Sequence, residues 1–188
     1  MEILDIYDKY RKRTGKTYPR NEKIPDGGLR LIVHILIFND KGELLIQQRA
    51  DHKKMGGLWD ITCGGACKAG EDSFEGASRE LKEELGIDFD FKDTRPILTA
   101  NFDKGFDDFY IIRKNIDIKD LKLQKEEVKY ARRASQNEVF DLLRKGEFVK
   151  YKKSYLDLLF DLNDDRKFME YRIKKSPASF KLGTILKD

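Results

Sequence analysis

Residues 29–38, LRLIVHILIF, constrain the fold most. They are almost continuously apolar and rich in β-branched side chains. That is the pattern of a strand buried on both faces, because a half-exposed strand would alternate. Such a strand needs a layer of structure on each side of its sheet. Asn39-Asp40-Lys41-Gly42 then reads as a hairpin turn, and residues 43–49, ELLIQQR, as the returning strand. His34, inside the apolar run, reads as a core histidine.

Around this pair the chain alternates turns with short apolar runs. Residues 3–7 and 16–19 read as strands of a lead-in ribbon, with turn signals at Thr14-Gly15 and at Pro25-Asp26-Gly27-Gly28. Residues 58–63, LWDITC, read as a third core strand. Residues 97–102, 108–114 and 128–134 read as further strands, and the charged link 115–127 as a loop. Ser135-Gln136-Asn137-Glu138 fits a capping box opening a helix over 139–145, stopped by Gly146. Residues 151–162 place Tyr155, Leu158, Leu159 and Leu162 in helical register. This order predicts an α/β (α+β) chain with a central mixed sheet and helices packed on its faces. One domain over residues 1–164 is expected, with the ribbon at 1–28 and the core at 29–164, followed by a basic extension at 165–188.

Charged residues make up 38% of the chain, yet twelve Phe and eight Tyr suffice for a core, so the chain is globular. No run approaches the roughly 18 apolar residues of a membrane span. The first residues, MEILDIYDKYRKR, place charges where a signal peptide needs an apolar stretch, so a cytoplasmic location without a membrane partner is expected. Residues 165–188 hold seven Lys/Arg against three Asp/Glu, which accounts for the whole formal net charge of +4. A solvated extension is the plain reading of that tail, and no nucleic-acid partner is expected. Cys63 and Cys67 read as plain thiols. No export signal favours a disulfide, and His34 and His52 lie too far off in sequence to complete a zinc site.

Residues 64–87, GGACKAGEDSFEGASRELKEELGI, carry the chemistry. Phe74, Ala77, Leu81 and Leu85 form one apolar stripe of a helix that Asp72 or Ser73 can cap and Gly86 can end. Glu80, Glu83 and Glu84 project from the other side. Like charges at i,i+4 destabilise an isolated helix by about 0.2–0.5 kcal/mol, so the cluster is better explained around a cation. A hard divalent ion takes carboxylate and carbonyl oxygens, and the turn at Gly64 and Gly65 can present a carbonyl beside the helix. An ion there would neutralise charge developing on a phosphoanhydride and acidify a water. Arg79 can fork Glu71 and orient the helix carboxylates. Arg49, Lys53 and Lys54 can grip phosphate oxygens. Taken alone, Glu80–Leu85 is an ordinary exposed helix face.

The fragment is not alone. Gly65, five residues, Glu71, seven residues, then Arg79-Glu80-Leu81-Lys82-Glu83-Glu84-Leu85-Gly86-Ile87 match G-x5-E-x7-R-E-U-x-E-E-x-G-U, with U apolar, at every defined position. In this the chain resembles the Nudix superfamily. The lead-in ILDIYDKYRKRTGKTYPR, with GELLIQQRA, GGLWDITCGGACKAGED and SQNEVFDLLRKGEF, resembles the branch related to isopentenyl-diphosphate isomerase, over roughly residues 1–160. The resemblance implies the Nudix α/β/α sandwich and hydrolysis of a small-molecule nucleoside diphosphate derivative with Mg2+ or Mn2+. It implies Glu80, Glu83 and Glu84 as metal ligands, with Glu80 or Glu84 also placed to activate water. Glu71 and Arg79 match the positions that brace the loop and helix. A homodimer exchanging its N-terminal ribbon is a further expectation.

Two alternatives belong to the same fold. The isomerases need a cysteine just before the glycine of the box, followed by Gly-His-Pro, and a histidine on the first core strand. Aligned on Trp59 and Gly70-Glu71, those positions hold Gly64, Ala66 and Cys67 here, and the strand position falls near Arg30 rather than His34. Cys63 is one residue early, which on a strand faces the other way. Asp108 falls near the isomerases' additional acidic ligand; Asp107, Asp108, Glu126 and Glu127 are candidates for an extra metal contact or base. A non-catalytic Nudix-fold binding module would usually have lost box glutamates, and all are present here. Hydrolase is the reading these residues favour.

Overall fold

Leu31, Val33, Ile35 and Ile37 on one side of the apolar run, and Leu36 and Phe38 on the other, are buried, while Ile32 and His34, expected in the core, are half-buried, so only the second half of the run is covered on both faces. The computed structural model describes residues 1–163; the basic extension at 165–188 lies outside the described residues. The chain runs β1 (Ile3–Tyr7), β2 (Arg13–Pro19), β3 (Arg30–Phe38), β4 (Leu44–Arg49), β5 (Trp59–Asp60), β6 (Cys63–Ala66), α1 (Ser73–Leu85), β7 (Leu98–Phe102), β8 (Gly105–Arg113), a 3-10 turn at Ile118–Asp120, β9 (Val128–Ala134), α2 (Gln136–Lys145) and α3 (Lys153–Asn163). Met1–Tyr151 forms one compact unit, and α3 belongs to a second unit that begins at Lys152.

Among the described residues, β1 and β2 form a two-stranded ribbon and the other strands one mixed sheet of order β5-β4-β3-β8-β7, with β6 added to β3 and β9 to β4. β3 is its centre, parallel to β8 over nine residue pairs from Arg30–Gly105 to Phe38–Arg113 and antiparallel to β6. The hairpin of β3 and β4 is real but short. The two strands share only the pair Phe38–Leu44 before β4 turns away to pair with β9 and β5. The expected single strand 58–63 is correspondingly two strands, broken at Ile61 and Thr62. Thr62 explains the break. Its buried hydroxyl accepts from the Ile37 N–H at 2.9 Å and donates to the Leu45 carbonyl at 2.5 Å. It thereby satisfies the backbone groups that the divergence of β3 and β4 leaves without ladder partners. The sheet is forked at this point, and the candidate site occupies the fork.

Helix α1 covers one face of the sheet. Glu75 accepts from the Asp72 N–H at 2.7 Å at its start, and Gly86 ends it in the left-handed conformation, φ 69. Ala77, Leu81 and Leu85 are fully buried in one cluster with Val33, Ile35, Cys63 and Tyr110. Burying each leucine contributes about 1.5–3 kcal/mol. Helix α2 has the capping box at Ser135 and Glu138 and buries Val139 and Leu142. The ribbon folds back onto its own chain. Leu4, Ile6, Tyr18 and Ile24 pack with Ala66, and the Ala69 N–H donates to the Ile3 carbonyl at 2.8 Å.

Candidate active site

The helical stripe that fixes α1 on the sheet also decides where its glutamates go. With Leu81 and Leu85 inward, Glu80 and Glu84 lie along the buried flank, only 6% and 5% exposed, while Glu83 is exposed. The three therefore do not share one environment. Glu84 accepts from Gln47 Nε2 on β4 at 2.9 Å. Glu80 accepts from Arg79 Nη1 at 2.8 Å, and Glu83 from the same nitrogen at 3.0 Å and from Lys68 at 3.3 Å. The rest of the Arg79 guanidinium binds Glu71 and the Ala66 carbonyl. Among the described residues no three His, Cys, Asp or Glu side chains already converge as a cation cage.

Glu80 and Glu84 line a cavity of about 120 Å³ with Glu83, Gly64, Gln47, Arg49, Lys53, Arg20, Glu2, Gln124 and Glu127. Burial pushes the Glu84 carboxyl well above its ordinary range, and the charges of Glu80, Glu127 and Asp60 push the same way. Burial also raises Glu80, against the pull of Arg79. Burial would raise Glu71 too, but the Arg79 fork and the Lys68 N–H hold it below its ordinary value. The cavity thus concentrates buried acids with too little positive charge around Glu84.

Three features fit a hard divalent ion. Gln47 Oε1 is buried without a hydrogen-bond partner, an orphan acceptor in a cavity of carboxylates. Gly65 cradles Glu80, since a Cβ there would stand 2.2 Å from Glu80 Oε1. The available donors are oxygens, the set such ions prefer.

The phosphate-gripping expectations divide. Arg49 and Lys53 line the cavity, Arg49 bonded to Asp60 at 3.1 Å and to the Lys54 carbonyl at 3.0 Å, Lys53 to Glu127 at 2.5 Å. Lys54 lies instead in an adjoining open cleft of about 960 Å³ with Arg20, Arg49, His52 and Lys53. Asp108 is elsewhere. It accepts from Arg11 at 2.9 and 2.7 Å, Ser73 at 2.6 Å and Thr99 at 2.6 Å, and it borders a different pocket, with Arg95 and Tyr110. Asp108, a candidate for substrate binding or an extra metal contact, thus stands outside the cavity of Glu80 and Glu84, in a buried tie among ribbon, sheet and helix. Asp107 faces His34 at 3.3 Å.

Sequence reasoning missed Gln47, Asp60 and Arg20. Gln47 carries a faint signal: a polar residue at an inward position of a strand, 4% exposed. Arg20 gives none, because only the back-folding of the ribbon brings it to the cavity. Glu127 was one of four acidic candidates, and its place beside Glu80 and Glu84 separates it from Glu126.

The model of the NUDIX domain family matches residues 28–168. The chain is 42% identical over 165 residues to an uncharacterized Nudix hydrolase of Listeria monocytogenes, covering 87% of this chain and 96% of that protein. It is 40% identical over 88 residues to an isopentenyl-diphosphate Delta-isomerase of Halorhodospira halophila, covering 46% of this chain and 50% of the isomerase. In fold it is similar to a crystal structure from Deinococcus radiodurans, with a TM-score of 0.68 at 22% identity, covering 83% of this chain and 98% of that one.

Proposed function

Because the chain belongs to the Nudix family, we propose that it hydrolyses a phosphoanhydride bond in a nucleoside diphosphate derivative with the help of Mg2+ or Mn2+. One observation supports this above the others: buried Glu80 and Glu84 share a cavity with Arg20, Arg49 and Lys53. Glu80, Glu83 and Glu84, with oxygens of Gln47 and the Gly64 turn, would hold the ion. When bound, it supplies charge neutralisation on the phosphates and a more acidic water.

The protein's own groups do the rest. Arg49 is oriented by Asp60 and the Lys54 carbonyl, which leaves guanidinium N–H groups for phosphate oxygens. Arg20 and Lys53 add charge where the cleft meets the cavity, and the cleft has room for the rest of the substrate. Glu84 or Glu80, both lining the cavity, is suited to take a proton from the attacking water. Arg79 keeps Glu71 and Glu80 in fixed positions. The test is a panel of nucleoside diphosphate derivatives with Mg2+, with products identified by mass. Cleavage of at least one member between its phosphates supports the reading. No cleavage of any, with Mg2+ binding intact, contradicts it.

The likeness to isomerases favours a second reading, isomerisation of isopentenyl diphosphate. Against it, Cys63 is buried in the cluster beneath α1, where desolvation and the charges of Glu84 and Glu80 push its thiol far up. Appearance of the allylic isomer would revive it. A homodimer belongs to the main reading, and sedimentation tests it.

A further inference from the structure

Three cations line both the open cleft and the carboxylate cavity, and each is already paired with an acid. Arg20 binds Glu2, Arg49 binds Asp60 at 3.1 Å, and Lys53 binds Glu127 at 2.5 Å. The acids differ in what else restrains them. Asp60 is buried and also accepts from the Ile61 N–H at 2.8 Å and the Tyr151 hydroxyl at 3.2 Å, so it stays when Arg49 turns to a phosphate. Glu2 has a second cation, Lys68, at 3.7 Å. Glu127 borders the cavity of Glu80 and Glu84, as Glu2 does, but among the described residues its held cation is Lys53 alone, and its charge already acts on Glu84. The Lys53 and Glu127 side chains are 27% and 32% exposed, so their pair can open without unfolding the site.

Resting on the metal-dependent reading above, we propose that Lys53 is an exchange cation. An incoming diphosphate draws Lys53 off Glu127, and the released Glu127 carboxylate turns to the divalent ion beside Glu80 and Glu84. A diphosphate offers more charge and more acceptor oxygens than one carboxylate, so it wins the lysine. Glu127, now facing phosphate oxygens of its own sign, is driven toward the cation. Ion and diphosphate therefore tighten each other's binding through these two side chains, and by linkage the effect is reciprocal. Lys53 is in this sense a positioning residue for Glu127.

The test needs neither substrate nor turnover. Mn2+ affinity is measured by electron paramagnetic resonance on the wild type, Lys53→Met, Glu127→Gln and the double variant, with melting curves to check folding. Lys53→Met frees Glu127 and tightens Mn2+ by about three- to fivefold, the range a half-exposed ion pair supports. In the Glu127→Gln background the same change shifts affinity by less than about twofold. Lys53→Arg, which keeps a cation for Glu127, binds Mn2+ as the wild type does. Equal tightening in both backgrounds means that Lys53 acts by its field alone and overturns the exchange, as does no tightening at all. If neither wild type nor Lys53→Met binds Mn2+, the metal-dependent reading falls, and the exchange with it.

Discussion

Arg79 grips both carboxylate oxygens of Glu71, its Nε 2.7 Å from Oε1 and its Nη2 3.0 Å from Oε2. The same planar cation reaches Glu80, Glu83 and the Ala66 carbonyl, so it ties a loop and a strand end to α1. A lysine is a point charge on a flexible stem and cannot span these partners. Arg79→Lys is expected to lower kcat about 10- to 100-fold and to weaken Mn2+ binding. Steady-state kinetics with a parallel Mn2+ titration checks both.

Gly65 and Gly64 are adjacent but predict different losses. A Cβ on Gly65 would meet a side chain, Glu80 Oε1 at 2.2 Å, which can move away. A Cβ on Gly64 would meet backbone, the Val33 carbonyl oxygen at 2.5 Å. Gly65→Ala is therefore expected to cost activity, about 10- to 100-fold, with a nearly unchanged melting temperature. Gly64→Ala is expected to cost about 1–3 kcal/mol of stability as β6 shifts from β3. Melting curves beside activity separate the two.

The Asp108 tie predicts an acid limb. Burial would raise its carboxyl, but Arg11, Ser73 and Thr99 prevail and hold it below the ordinary value. A depressed folded pKa stabilises the fold above the unfolded value, about 3.9. That contribution is lost as pH falls through the folded pKa. Arg11→Met, which leaves a side chain only 1% exposed without its cation, is expected to cost about 1–3 kcal/mol at pH 7, less than a fully buried pair because Arg11 is 38% exposed. Asp108→Asn should flatten the stability loss below pH 4. Urea unfolding from pH 7 to pH 3 measures both.

Cys63 and Cys67 are buried, and desolvation raises both thiols. The folded protein is expected to leave a disulfide reagent unreacted and to release two thiol equivalents in urea. Cys63→Ala should keep hydrolysis. Its abolition, with the fold intact, would contradict the reading of Cys63 as a buried packing residue.

What the sequence makes legible follows the range of the interactions. The run 29–38, the caps of α1 and α2 and the strand at 128–134 are local patterns, and each stands where its pattern puts it. The box places Arg79 on Glu71 correctly because helix spacing and one loop determine that contact. Thr62 bridging β3 and β4 is a long-range event, so residues 58–63 read as one strand although they are two. The site divides in the same way. The glutamates of α1 are readable. Gln47, Asp60 and Arg20 arrive from a diverging strand, a strand break and a folded-back ribbon, with no local signature. Asp108 shows the converse: an acid whose alignment points to the reaction centre while its register on β8 carries it to the Arg11 tie.

The most direct test is hydrolysis of the best substrate from the panel by wild type and Glu84→Gln, each with Mg2+ and with chelator. The wild type should turn over with Mg2+ and stop with chelator. Glu84→Gln should keep its melting temperature or gain, since it removes a buried acid, and lose at least about 100-fold in kcat. Turnover by Glu84→Gln at the wild-type rate, or wild-type turnover undiminished by chelator, would contradict a metal-dependent hydrolase built on the carboxylates of α1.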